Sequence, residues 1–218
     1  MFKIIGISSI IGLSSLISFA PLFFFPHLPH EAVYNQLVDV SYYSSRQVTL
    51  NEPRFLSVLL FKLFLFFFGP IYSIPTFTLF LTLLSASATY LFSRSLGFPK
   101  IWSLLSAILS TLSFQTVAGI YAYIVAQWLV YALHLFFLSL LAYCVNSSRF
   151  KLSLPIVFAL ILFSHMYVAV YVAFITLILC LTVYDETIAS NIATLTSTLV
   201  GLTVAFFYPK DLDYLTSL

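Results

Sequence analysis

The residues best suited to chemistry in this chain lie in one polar segment, residues 26–54. It reads PHLPHEAVYNQLVDVSYYSSRQVTLNEPR and follows a long apolar stretch. The segment holds three of the seven acidic residues and two of the four histidines: Glu31, Asp39, Glu52, His27 and His30. Carboxylates and imidazoles are common general acids and bases in enzymes. We therefore expect any reaction centre to lie in this segment.

Glu31 and His30 are the candidate catalytic pair. They follow Pro26 and Pro29, close to the point where the first apolar stretch ends. Loss of hydration beside lipid raises the pKa of a carboxyl group, which suits a base that must take a hydroxyl proton near neutral pH. A neighbouring histidine can orient such a base. The alternative interpretation is a solvated loop with scattered charges.

Three further polar residues of this segment are candidates for binding. Asp39 is eight residues past Glu31, so the two would share one face of a helix, about two turns apart. Arg46 and Arg54 are either anchors for lipid headgroups or partners for a phosphate group.

His165 is the most informative residue outside the polar segment. It stands in Phe163-Ser164-His165-Met166-Tyr167, between two apolar runs. If a helix begins there, its free backbone N–H groups would favour a bound phosphate. The alternative is an imidazole that only bonds a carbonyl of its own turn. His134, in the middle of an apolar run, is interpreted as a packed, neutral, hydrogen-bonded histidine.

The composition is that of a membrane protein. The chain is 61% hydrophobic and 7% charged, with a mean hydropathy of +1.07. Soluble domains carry about 25% charged residues, so a water-exposed globule is excluded. The net charge of +2 is too small to indicate nucleic acid binding. Cys144 and Cys180 lie in apolar runs without metal-type spacing, and we expect no metal site and no cofactor.

The predicted fold is all-α, a single transmembrane domain over residues 1–218. A spanning helix needs about 20 apolar residues. On that criterion we predict about seven transmembrane helices, at 2–25, 74–93, 101–118, 122–145, 153–164, 167–184 and 188–208. Pro21 stands where a small-residue cleavage site would be expected, so the first helix is predicted to be retained rather than removed as a signal peptide.

Residues 55–68 are too short to span and are predicted to form an interfacial or re-entrant helix, bounded by Gly69-Pro70. The positive-inside rule places Lys3 and the loops at 94–100 and 147–151 in the cytoplasm. The N-terminus is then cytoplasmic, and residues 26–54 form an outer loop, with an outer tail at 209–218. His165 lies at the same outer level. The expected location is a cell membrane or its endoplasmic reticulum equivalent.

This pattern resembles the GT-C glycosyltransferases, which include the dolichyl-phosphate-mannose protein mannosyltransferases and the aminoarabinose lipid A transferase. Their outer loop motif Asp-Glu-x-x-Tyr resembles residues 30–34, HEAVY. Their Lys-Pro-Pro-Leu segment and Leu-Phe-Gly helix end resemble residues 52–55 and 67–69, EPRF and FFG. A basic inner loop matches residues 93–100, and their Leu-x-His-Pro turn resembles residues 163–167.

The resemblance, over about residues 1–185, implies transfer of a sugar from a polyprenyl-phosphate-linked donor to an acceptor hydroxyl, with inversion. Glu31 would act as the base with His30 beside it, and Tyr34, Asp39, Arg54 and His165 would bind substrate. His30 stands where the family has an aspartate, and the resemblance does not extend to the outer soluble domain that usually follows in the family. Partners would be membrane lipid, the lipid-linked donor and a membrane protein.

Two other functions remain open on the sequence. A non-catalytic relative, either a membrane subunit or a lipid-carrier-binding protein, would bind the lipid phosphate without turnover. A small transporter would need polar residues that face each other in mid-span, and the sequence offers few. Sugar transfer, phosphate binding and vesicle flux separate the three hypotheses.

Overall fold

The computed structural model describes residues 2–24, 45, 54–113, 125–146, 153–165, 169, 171, 174 and 178. Within these residues all regular structure is helical, which confirms the all-α fold class. The helices are α1 (Phe2–Phe24), α2 (Phe55–Ser95), α3 (Lys100–Thr111), α4 (Val125–Asn146) and α5 (Ser153–Ser164). The last two predicted spans and the outer loop and tail lie outside the described residues, apart from single positions.

Helix α2 is interrupted at Gly69, where φ is 71° and ψ is 175°. Phe61 and Phe77, on opposite sides of this break, have ring centroids 5.7 Å apart, and those of Phe64 and Phe80 are 5.5 Å apart. In a continuous helix, residues so far apart in sequence would be about 24 Å apart. The helix therefore folds back on itself as a hairpin, with a first arm (55–68) and a second arm (70–95).

The hairpin bears on the predicted membrane topology. The boundary at Gly69-Pro70 is where the sequence placed it. An interfacial or re-entrant first arm required Arg54 and Gly69 to lie at one membrane face. Packed against the second arm, they lie at opposite ends of an element about 21 Å long. If the second arm crosses the membrane, these two ends lie at opposite faces; the interfacial or re-entrant assignment of residues 55–68 stays a prediction.

After Lys100, helix α3 exposes large apolar side chains and buries small ones. Ser103, Ala107 and Thr111 are buried. The side chains that point outward are large and apolar: Ile101, Trp102, Leu105, Leu109 and Leu112. A helix on a soluble protein shows the opposite distribution, whereas small residues at helix contacts are typical of membrane bundles.

Helix α3 ends at Thr111, so it is shorter than the predicted span at 101–118. The hydroxyls of Ser110 and Thr111 bond the carbonyl oxygens of Ala107 and Ile108, at 2.8 and 2.7 Å. The N–H groups of Leu112 and Ser113 bond the third residue before them. Such bonds tighten the last turn and compete with helix propagation.

One segment of the described residues, Tyr72–Ser95, is long and apolar enough to cross a membrane. Three other apolar stretches are shorter, at Ile5–Ala20, Phe55–Pro70 and Gln127–Tyr143. The seven-span topology stays a prediction.

The core joins α2, α4 and α5. Phe137 of α4 and Phe158 of α5 have ring centroids 5.9 Å apart. The indole N–H of Trp128, at the start of α4, donates to the hydroxyl of Ser85 at 2.9 Å. The first arm of α2 also packs on α5, through Phe55 and Phe163 at 5.8 Å. This last contact positions the candidate site.

Candidate functional site

The start of α2 meets the end of α5. The buried hydroxyl of Ser57 donates to the carbonyl oxygen of Ser164, at 3.4 Å. That carbonyl belongs to the last residue of α5. The bond therefore fastens the first turn of one helix to the last turn of the other. We call residues 54–57 and 163–165 the helix junction.

The helix junction brings together two of the predicted binding residues, Arg54 and His165. Burial lowers the pKa of His165 from its ordinary value of 6.5, and the nearby guanidinium of Arg54 lowers it further. A positive charge acts in this way because it disfavours a second positive charge. The imidazole is buried, with 8% of its surface exposed. At neutral pH we therefore expect a neutral imidazole beside a cationic guanidinium.

The backbone at His165 lies at the end of α5. The N–H of His165 donates to the carbonyl oxygen of Ile161, and its own carbonyl accepts from the N–H of Ala169, both at 3.1 Å. The carbonyl of an N-cap residue accepts the first bond of a helix in this way, and the N–H of His165 itself is not available to an anion. The predicted phosphate-binding N–H groups would belong to residues 166–168, which lie outside the described residues, so that hypothesis stays a prediction.

The helix start that the structure describes in the junction is that of α2. Arg54 is its N-cap residue, and no side chain among the described residues caps the first turn. The first N–H groups of a helix carry a partial positive charge and favour anions. The sequence did not lead us to predict an anion site at the start of α2. Arginine is an unusual N-cap residue, and Pro53 was interpreted only as the boundary of residues 55–68.

The charge around the junction has one sign. No described residue is acidic, and the sequence has no carboxylate between Glu52 and Asp185. A guanidinium, a neutral imidazole and a helix N-terminus therefore meet at the junction. No described carboxylate neutralises the positive charge of the guanidinium. This combination suits an anion with several acceptor oxygens, such as a phosphate. Arg54 also lies near the C-terminal end of α5, where a cation is favourable without any ligand.

The remaining predicted site residues are Glu31, His30, Tyr34 and Asp39. All four lie outside the described residues, so their roles stay predictions. Arg46 is also outside. Of the predicted site residues, the structure brings together Arg54 and His165.

His134 lies on α4 and is half-buried. Its Nε2 atom is buried and has no hydrogen-bond partner among the described residues. The hydrogen bond predicted for this side chain is therefore not made by Nε2 within the described residues.

No family model, no curated protein and no solved structure matches this chain. The resemblance to GT-C glycosyltransferases thus stays a prediction from the order of the sequence motifs.

Proposed function

We propose that this chain is a multi-pass integral membrane protein of GT-C type, which binds a polyprenyl-phosphate-linked sugar and transfers the sugar to an acceptor hydroxyl. The observation that carries the proposal is the proximity of Arg54 to His165, next to the uncapped start of α2. Arg54 and His165, each predicted separately to bind a phosphate group, lie in the same helix junction. The positive groups there have no acidic partner among the described residues.

The membrane setting is supported by α3 and by the second arm of α2. Leu109, on the outer face of α3, is 65% exposed, while Ser103 on the opposite face is fully buried. An apolar surface of this kind is favourable in lipid and costly in water. The second arm supplies a segment long enough to cross the bilayer.

In the proposed reaction the acceptor hydroxyl attacks the anomeric carbon of the donor sugar. Glu31 takes the hydroxyl proton, and His30 holds the carboxylate in position. The bond between the anomeric carbon and the donor phosphate breaks, and its electron pair leaves with the phosphate oxygen. Arg54 stabilises the negative charge that develops on that phosphate, as fixed donors do in phosphate sites. Tyr34 and Asp39 bind the substrates.

A second candidate function is binding of the lipid carrier without transfer. Its support is that the groups proposed to bind phosphate at the junction do not include Glu31. In addition, His30 stands where the resembling family has an acid. Such a protein would present the carrier to a membrane partner.

Binding of a short-chain polyprenyl phosphate to the purified full chain tests the phosphate site. We expect Arg54→Gln to weaken binding at least about tenfold, because a hydrogen bond to a charged group is lost. His165→Gln should weaken it less, since the amide still donates. Lys62→Gln removes a cation from the same arm of α2 and is the matched control. Equal affinities for the wild type and Arg54→Gln would contradict the site and leave Arg54 a helix-end cation.

Sugar transfer separates the two functions. With a polyprenyl-phosphate-linked sugar as donor, Glu31→Gln should abolish turnover while it leaves phosphate binding unchanged. Turnover at the wild-type rate in Glu31→Gln would remove the proposed base. Phosphate binding without turnover in the wild type would favour the carrier-binding function.

A further inference from the structure

The connection between α2 and α3 is a tight turn, residues 93–102, which we call the basic turn. The N–H of Gly97 donates to the carbonyl of Arg94, and the N–H of Phe98 to that of Ser93, at 3.1 and 3.2 Å. With Gly97 at φ +86°, this pair of bonds is a Schellman motif. The Arg94 guanidinium also donates to the carbonyl of Phe98. The turn is therefore fixed by hydrogen bonds within itself.

The basic turn carries two cations, Arg94 and Lys100, and no described acidic residue neutralises them. Lys100 is exposed and Arg94 is partly exposed. No described residue is acidic, and the sequence between Glu52 and Asp185 contains no carboxylate. The counter-charge therefore does not come from the described part of the chain.

Large apolar side chains surround these cations. Trp102 is 59% exposed, and Leu96, Phe98 and Ile101 each expose about half of their surface. Tryptophan beside cations is typical of the membrane–water interface, where its ring lies at the level of the headgroups. The apolar outer face of α3 continues directly from Trp102. The basic turn thus marks the polar end of a lipid-facing surface.

We propose that the basic turn binds the phosphate groups of anionic phospholipids at the membrane surface. Lys100 and Arg94 contact the headgroup phosphates, while Trp102 and Phe98 lie at the boundary with the acyl chains. The preformed turn holds the cations in place, so little conformational freedom is lost on binding. This preference for anionic lipid is independent of the sugar transfer proposed above.

Fluorescence quenching by brominated lipids tests the proposal with the full-length protein in bilayers. The chain has two tryptophans, and Trp128 is buried while Trp102 is exposed. The Trp102→Phe variant defines the background, so the difference reports Trp102. We expect brominated phosphatidylglycerol to quench Trp102 more than brominated phosphatidylcholine with the same chains. The preference should fall as salt rises, because exposed charges are screened.

Lys100→Gln is the decisive variant, because it leaves the Schellman bonds and the Arg94 bond in place. We expect the preference for phosphatidylglycerol to fall about fivefold, the effect of one basic residue at an anionic surface. Lys62→Gln, with the same loss of charge in the first arm of α2, should leave the preference unchanged. Equal quenching by the two lipids in the wild type would overturn the proposal. So would no quenching of Trp102, or equal losses in the two variants.

Discussion

Two chain reversals in this protein use glycine in different ways. The first, at Gly69, turns α2 into a hairpin, and the second, at Gly97, joins α2 to α3. Both glycines have positive φ, 71° and 86°, and a proline follows each within two residues. The first reversal is packed by phenylalanine rings from its two arms. The second is closed by hydrogen bonds among adjacent residues.

The first reversal is determined by contacts between residues far apart in sequence, and the second by hydrogen bonds within one turn. The angle of the first reversal depends on side chains far apart in sequence, so a change in the core should open it. The bonds of the second lie within one turn and should survive changes elsewhere. The first reversal also determines where Arg54 lies, whereas the second only presents its own cations. We therefore expect the first to be the more sensitive to mutation.

Phe61→Ala is expected to have the largest effect on the first reversal. Phe61 is fully buried and its ring contacts that of Phe77. Loss of a buried phenylalanine leaves a cavity and costs about 3 kcal/mol in the free energy of unfolding. Reversible unfolding in detergent micelles measures this cost. Phe67→Ala, at a ring that is 71% exposed, is the control and should change stability little. Similar losses in the two variants would mean that the arms are not held by the buried rings.

Gly69→Ala should have the next largest effect. No atom lies within 4 Å of the position where an alanine Cβ would be, so the cost comes from the backbone alone. The combination of φ 71° and ψ 175° is essentially restricted to glycine, and other residues lose about 2 kcal/mol there. Asparagine tolerates the left-handed helical region but not this ψ, so Gly69→Asn should be as damaging as Gly69→Ala. Full stability of Gly69→Asn in the same unfolding assay would contradict this backbone geometry.

Gly97→Ala tests the second reversal and should cost about 1 kcal/mol, the penalty for a left-handed alanine. Here Gly97→Asn should recover part of the loss, because asparagine is accepted at this position of a Schellman motif. The contrast with Gly69 is the informative quantity. If asparagine fails equally at both glycines, the two reversals do not differ in the way that we describe.

Local signals in the sequence predicted several boundaries correctly. The break at Gly69-Pro70 and the bounds of the helix at 153–164 agree with the structure, because glycine, proline and serine act on the backbone where they stand. The fold-back of the hairpin was not predictable from pattern. The first arm is apolar on nearly all faces, so its sequence does not indicate which face meets the second arm. That choice depends on which phenylalanine rings fit together.

The helix junction shows the same limit at the site. Arg54 and His165 were each nominated from residue type and local position, but nothing in the sequence said that they are neighbours. Their proximity depends on the hairpin, which carries the start of α2 to the end of α5. The helix start predicted at His165 involves residues 166–168, which lie outside the described residues, whereas the start of α2 at Arg54 was not predicted as an anion site. The outer-loop residues Glu31, His30, Tyr34 and Asp39 stay predictions.

The smallest expected effect is on the pH dependence of stability. It links the first reversal to the helix junction. Because the pKa of His165 is below its ordinary value of 6.5, the unfolded chain binds a proton more readily than the folded protein. The contribution to stability is therefore complete above pH 6.5 and declines as the pH falls toward the lower pKa of the folded state. Unfolding in micelles across this range should show the decline in the wild type, and His165→Gln should flatten it.

Arg54→Gln tests whether the hairpin delivers its cation to the imidazole. Without the guanidinium only burial lowers the pKa of His165, so the decline in stability should be shallower than in the wild type but still present. Lys62→Gln is the control for the loss of one charge on the same arm and should leave the profile unchanged. An Arg54→Gln profile identical to that of the wild type would mean that the charge does not reach His165. The first reversal would then serve packing alone, and the contrast between the two glycines would carry no consequence for the site.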